Sequence, residues 1–161
     1  MHGEMAGADN VDMFERYTEK ARRALFFAGY EASNYGSSNI ESAHLLLGLL
    51  RETTLLQGLL IGRESIEVLR KEIEAQTIRR PAITAHVEAP FSTECTRVLG
   101  LAAQESEGLG HGYVGPEHLL LGLLREDQCL GARLLQAHEV TLSRVREKLT
   151  RSGLGAETKS G

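Results

Sequence analysis

Residues 44–52 read HLLLGLLRE, and residues 118–126 read HLLLGLLRE again, nine identities in a row at an offset of 74. A nonamer repeated at a fixed offset marks one supersecondary unit used twice. The same offset pairs Leu25 with Leu99, Ala28 with Ala102, Glu31 with Glu105, Gly36 with Gly110 and Ile40 with Val114. Beyond the nonamer the register slips by about two residues, so that Ile73 falls opposite Leu149. Between the copies lies TIRRPAITAHVEAP, residues 77–90, with two of the three prolines and no helical period. It reads as a linker. The chain therefore divides into a small, polar leader over 1–12, expected to be disordered, a first repeat over 13–76, the linker over 77–90, a second repeat over 91–153 and a flexible tail over 154–161.

Each repeat reads as four helices. Ala21, Ala24, Leu25, Ala28 and Ala32 follow the i, i+3, i+4, i+7 spacing of an amphipathic helix. Thr18 is suited to cap it, since a hydroxyl can accept from an orphan N–H of the first turn. Gly36 is suited to the left-handed position that ends it. Ser92 and Gly110 do the same for the second copy. A second helix begins near Ser42 and presents Leu45, Leu46, Leu49 and Leu50 as one broad apolar face. In the second copy Gly115 caps and Pro116 sits at N1, where no N–H is needed. Leu55–Ile61 and Leu130–Ala137 predict a short third helix. Ser65–Ala75 and a Thr141-capped stretch ending before Gly153 predict a fourth. One four-helix unit of this size leaves apolar surface uncovered, and two copies can share it. The expected fold is all-α: two pseudo-twofold-related four-helix repeats packed into one compact domain.

Composition excludes several functions. Among 161 residues the formal net charge is −4 and no basic block occurs, so the electrostatic footprint of a nucleic-acid binder is missing. The longest apolar run, around Leu45–Leu50, is far shorter than the roughly 20 residues needed to cross a bilayer. Cys95 and Cys129 match no metal or redox spacing and suit reduced thiols in the cytoplasm. No phosphate-binding GxxxxGK[ST] loop, GxSxG elbow, HExxH or CxxC motif is present. Neither a metal nor a cofactor is expected.

The residues that remain are paired across the repeats. His44 and His118 are equivalent; local hydrogen bonding in the first turn of a helix is favoured over a shared metal. Glu31 and Glu105 are equivalent as well, and are read as solvated helix-face residues rather than a general acid–base pair. The start of each second helix stands out, because free N–H groups and the positive dipole end form a ready anion site. A cap hydroxyl, Thr18 or Ser92, can stand nearby, and Glu117 can hold a guanidinium.

The run Met13-Phe14-Glu15-Arg16-Tyr17-Thr18-Glu19-Lys20-Ala21, followed by two blocks of the form G-x(3)-[IV]-x(3)-HLLLGLLRE, resembles the amino-terminal domain of Clp-type AAA+ chaperones. The resemblance is closest to the ClpC/ClpA type that feeds a partner protease, and it covers about residues 13–152. It implies a domain that docks adaptor proteins and unfolded or tagged substrates for an unfolding motor, whose ATPase modules lie outside this chain. It implies no enzymatic activity here. In some members it also implies recognition of phosphoarginine, by a cap hydroxyl and a Thr-Glu pair just before the motif histidine. Carried over, the candidate residues are Thr18, Ser42, Ser92 and Glu117. This chain departs from the pattern: Ala43 stands at one Glu position and Pro116 at one Thr position. Charge-assisted bonds contribute roughly 1.5–3 kcal/mol each. Losing one per site costs about one to two decades of affinity. Weak phosphoarginine binding is expected, with the second repeat's site the better. Phe14 and Phe91 match aromatic positions near the family's partner surface; they are read either as anchors for an interface or as staples that hold the ends of their first helices to the core. Other readings are a stand-alone homologue that competes for adaptors or shields substrates, a structural scaffold that binds nothing, and a small enzyme using the paired Glu or His residues.

Overall fold

The computed structural model describes residues 14–52, 55–59, 66–83 and 89–152. Among the described residues eight helices follow in chain order: α1 (Glu19–Asn34), α2 (Ser42–Glu52), α3 (Leu55–Leu59), α4 (Ile66–Gln76), α5 (Thr93–Gly108), α6 (Pro116–Arg125), α7 (Leu130–Ala137) and α8 (Leu142–Ser152). No strand occurs among the described residues. No helix among them is long and apolar enough to cross a membrane. The leader and the tail lie outside the described residues, as do 60–65 and 84–88.

The caps form as their chemistry requires. The Thr18 hydroxyl accepts from the Ala21 N–H at 3.1 Å, and the Ser92 hydroxyl accepts from the Cys95 N–H at 3.1 Å. Gly36 and Gly110 take φ of 69° and 77° just past α1 and α5. Gly115 caps α6 with Pro116 following it. Thr141 caps α8, accepting from the Arg144 N–H at 3.3 Å.

The motif helices are the centre of the molecule. Every residue of Ser42–Leu50 and of Pro116–Leu124 is buried. The sequence pattern predicted one apolar face, yet Leu47 and Leu121 on the other side are also buried. A helix that is apolar all round must be covered all round. Here α1 covers α2 and α5 covers α6, while the later helices of the same repeat and helices of the opposite repeat share the remaining sides. One cluster of buried side chains contains residues of both repeats. The nonamer's glycine makes the close helix crossing possible. A Cβ at Gly48 would meet the Ala24 carbonyl oxygen and lie 2.9 Å from the Ala28 N. A Cβ at Gly122 would meet the Val98 carbonyl oxygen and lie 2.9 Å from the Ala102 N.

The pseudo-twofold is written into two single parallel bridges. Tyr17 pairs with Val114, and Ile40 pairs with Phe91. The Thr18 N–H donates to the Val114 carbonyl at 3.0 Å, and the Val114 N–H to the Arg16 carbonyl at 3.0 Å. The mirror set runs from the Ser92 N–H to the Ile40 carbonyl at 3.0 Å and from the Ile40 N–H to the Pro90 carbonyl at 2.8 Å. The lead-in to the first helix of each repeat is therefore fastened to the lead-in to the motif helix of the other.

Candidate functional site

This crossing rearranges the candidate residues. The sequence pattern grouped each cap hydroxyl with the motif helix of its own repeat. The bridges instead bring Thr18 to the start of α6, beside Pro116 and Glu117, and Ser92 to the start of α2, beside Ser42 and Ala43. A repeat-by-repeat reading cannot see this, because the exchange is a tertiary choice. Two further residues, not among the sequence's site candidates, arrive with the caps. Lys20, in the first turn of α1, acts electrostatically on Glu117. Glu94, which the offset of 74 pairs with Lys20, comes near enough to the Ser42 hydroxyl and to Glu41 to feel both. One site thus gains a cation and the other an anion.

At the α6 site Glu117 is buried, and its carboxylate folds back over Gly115. Burial pushes its carboxyl above the usual range, opposed by its own backbone N–H, the Tyr113 side chain and the Lys20 charge. The carboxylate therefore already sits by its own N–H at the positive dipole end of α6. At the α2 site Ser42 is buried, and its hydroxyl accepts from the Gly131 N–H at the start of α7 at 3.1 Å. Its first task is to tie α2 to the other repeat. Burial and the neighbouring Glu41 push the Glu94 carboxyl up.

The two histidines bond locally, in line with the plainer reading. The Gly115 N–H donates to His118 Nδ1 at 2.9 Å, and the Glu41 N–H donates to His44 Nδ1 at 2.9 Å. Burial pushes both imidazoles down to about 4. Each is neutral near pH 7, and since Nδ1 accepts, the proton must sit on Nε2. His118 Nε2 then donates to His111 Nδ1 at 2.7 Å, while His111 stacks on Tyr113. His44 Nε2 is buried with no hydrogen-bond partner. The offset pairs His111 with Ser37.

Glu31 and Glu105 correct the sequence reading. They are not solvated: both are 7% exposed and ion-paired. Glu31 holds Arg51 at 3.0 Å. Glu105 holds Arg125 at 3.4 Å and Arg146 at 2.7 Å. A carboxylate that loses its water must find a cation, and the nonamer's arginine supplies one in each repeat. Neither is a free acid or base. Cys95 and Cys129 are buried free thiols, both pushed up by burial, the opposite of an activated nucleophile. No cluster of three or more His, Cys, Asp or Glu poised for a metal occurs among the described residues.

Phe14 and Phe91 come together from the two lead-in segments, their rings 6.4 Å apart. Phe14 also meets Tyr17 edge-on at 5.2 Å. Both phenylalanines are half-buried against the core.

Residues 16–138 and 90–154 match the family described as the Clp repeat (R) N-terminal domain. The chain is 37% identical over 142 residues to the negative regulator of genetic competence ClpC/MecB of Bacillus subtilis, covering 85% of this chain and 17% of that protein. It is 38% identical over 141 residues to the chloroplastic chaperone protein ClpC2 of Oryza sativa subsp. japonica, covering 86% and 15%. Among solved structures, the N-terminal domain of ClpD from Arabidopsis thaliana superimposes with a TM-score of 0.66 at 30% identity, over 86% of this chain and 95% of that one. The chain spans about one-sixth of the length of these curated relatives. On the doubled motif, the crossed fold and these matches, the chain belongs to the Clp amino-terminal repeat domain family.

Proposed function

We propose that this domain docks adaptor proteins and protein substrates for a Clp-type unfolding motor. The observation that supports the reading is the crossed pair of helix starts, each bordered by residues of both repeats and close to the Phe14–Phe91 aromatic pair, which we read as two recognition points. Half-exposed aromatic rings are suited to anchor a partner. The relatives' remaining length is where motor modules would lie, so ATP hydrolysis is assigned outside this chain.

For a phosphorylated arginine the two sites are unequal. The α6 site offers the Thr18 hydroxyl, the Lys20 charge for a phosphate and the Glu117 carboxylate for a guanidinium. Pro116 withdraws a hydroxyl and an N–H, and Glu117 must first leave its place over Gly115. The α2 site has Ala43 in place of the carboxylate, and Glu41 and Glu94 repel a phosphate. Phosphoarginine is therefore expected to bind weakly and at the α6 site. Calorimetric titration of the domain with phosphoarginine tests this. One weak site abolished by Glu117→Ala is the expected result; two tight sites, or binding indifferent to Glu117→Ala, would remove the proposed role. Capture of adaptor proteins or unfolded substrates by the isolated domain separates docking from a scaffold that binds nothing.

A further inference from the structure

A cavity of about 240 Å³ opens beside the start of α2, and Tyr35, Ser37, Glu41, Ser42, His44 and Glu94 are among its walls. On its walls the two repeats differ. In the second repeat Nε2 of the motif histidine reaches His111 at 2.7 Å. In the first repeat Ser37 stands at that position, with its hydroxyl turned to the Asn39 carbonyl at 2.6 Å. The shorter side chain leaves space, and it leaves the His44 Nε2–H without an acceptor although the residue is only 2% exposed. An unsatisfied buried donor costs about 1–3 kcal/mol. Such a group on a cavity wall is a standing demand for a hydrogen-bond acceptor.

The same walls carry two carboxylates, Glu41 and Glu94, one from each repeat. Glu41 acts on Glu94 at close enough range to raise it further. Arg97 acts on Glu94 only at a distance, because its guanidinium is paired with Glu126 at 2.9 Å. Arg80 adds one positive charge to the lining, which stays net negative. The chemistry that satisfies these walls is a cation bearing several donors, on a segment that also offers a carbonyl. A planar guanidinium can bridge two carboxylates where an ammonium acts as a point charge.

We propose that this cavity docks an unphosphorylated arginine of a partner polypeptide, its guanidinium held by Glu41 and Glu94 and a backbone carbonyl of the same segment accepting from His44 Nε2. The assignment rests on the docking role above and gives the α2 site a ligand chemistry opposite to that of the α6 site. It is tested by NMR titration of the full chain with the peptide acetyl-Ala-Arg-Ala-amide, its glutamine counterpart and its phosphoarginine counterpart. The arginine peptide is expected to shift the resonances of Ser37, His44 and Glu94, with the other two peptides at least about tenfold weaker at those residues. Glu94→Gln, on the half-buried rim, is expected to weaken the arginine peptide about tenfold, and Ser37→His, which installs the second repeat's partner, to abolish its binding. Absence of these shifts, equal binding of the phosphorylated peptide, or indifference to both substitutions overturns the assignment. Capture of denatured casein by the domain, measured in parallel, distinguishes the two levels. Capture without arginine-peptide shifts overturns the cavity assignment and leaves docking standing; loss of both removes both.

Discussion

The first turns of α2 and α6 begin the same nonamer and carry the same histidine cap, yet their surroundings are opposite. Around α6, Glu117 folds onto the helix start, Lys20 faces it, and His111 and Tyr113 close over His118. Around α2, Ala43 leaves the start without a carboxylate of its own, Glu94 faces it, and Ser37 leaves His44 beside an open cavity. The lesson is that duplication preserved what the fold needs and released what a ligand would read. Residues that touch the other helix of their own repeat agree: Gly48 with Gly122, Ala28 with Ala102, Arg51 with Arg125. Residues around the helix starts differ: Lys20 from Glu94 in charge, Ser37 from His111 in size.

This comparison can be broken at the helix crossing first, where the repeats should behave alike. Gly48→Val and Gly122→Val each push a side chain into a facing carbonyl, and each is expected to cost about 3 kcal/mol in urea unfolding. A large effect at one glycine only would show that the repeats do not share one packing rule.

The pH dependence comes next. The unfolded chain protonates His44 and His118 near 6.5, while the folded chain resists until about 4. Unfolding is therefore favoured by proton uptake, and stability is expected to fall as pH drops from about 6.5 toward 4, at up to about 1.4 kcal/mol per pH unit for each imidazole. Glu94 and Glu117 are raised, so their carboxyls work in the opposite sense, adding stability as they protonate on acidification. The contribution of one imidazole is isolated by His44→Asn, which keeps an acceptor for the Glu41 N–H. Its urea midpoint should depend on pH less steeply than that of the unsubstituted chain, and an equal slope would contradict a buried neutral His44.

The buried carboxylates sharpen the contrast further. Glu105 holds two arginines and Glu31 one in the described pairs. All three guanidinium partners are partly exposed, which reduces the effect. Glu105→Ala is expected to destabilise by about 2 kcal/mol and Glu31→Ala by about 1 kcal/mol. A reversed order in chemical denaturation would remove the distinction. The smallest effect is a gain. Ser37→His fills the cavity and gives His44 Nε2 an acceptor, and should stabilise by about 1 kcal/mol in the same assay. A loss instead would mean that the first repeat cannot adopt the second's arrangement.

Much of this was legible in the residues. The capping hydroxyls, the glycines ending α1 and α5, the Gly115–Pro116 start of α6 and the local role of the histidines follow from rules that act within a few residues. The doubled nonamer was enough to predict an all-α fold sharing one core. What was missed is non-local. Glu31 and Glu105 lie on helices of ordinary polar pattern, and only their placement beside Arg51, Arg125 and Arg146 buries them. Lys20 and Glu94 are ordinary first-turn charges by their pattern, although setting the two repeats side by side shows a charge reversal between them. The same alignment shows Ser37 against His111, a size difference that becomes a cavity only once a neighbour is packed around it.

By itself the sequence determined that this chain would be helical, twofold repeated and capped at known places, because helix periodicity and capping are local and were stated twice. Tertiary structure alone decided which cap meets which helix start. That choice depends on two bridges between segments about 50 and 100 residues apart, made with backbone groups that every residue carries. No side-chain pattern announces such a pairing, and so the two sites, one cationic at its rim and one anionic, became visible only when the repeats were seen to exchange their lead-in segments.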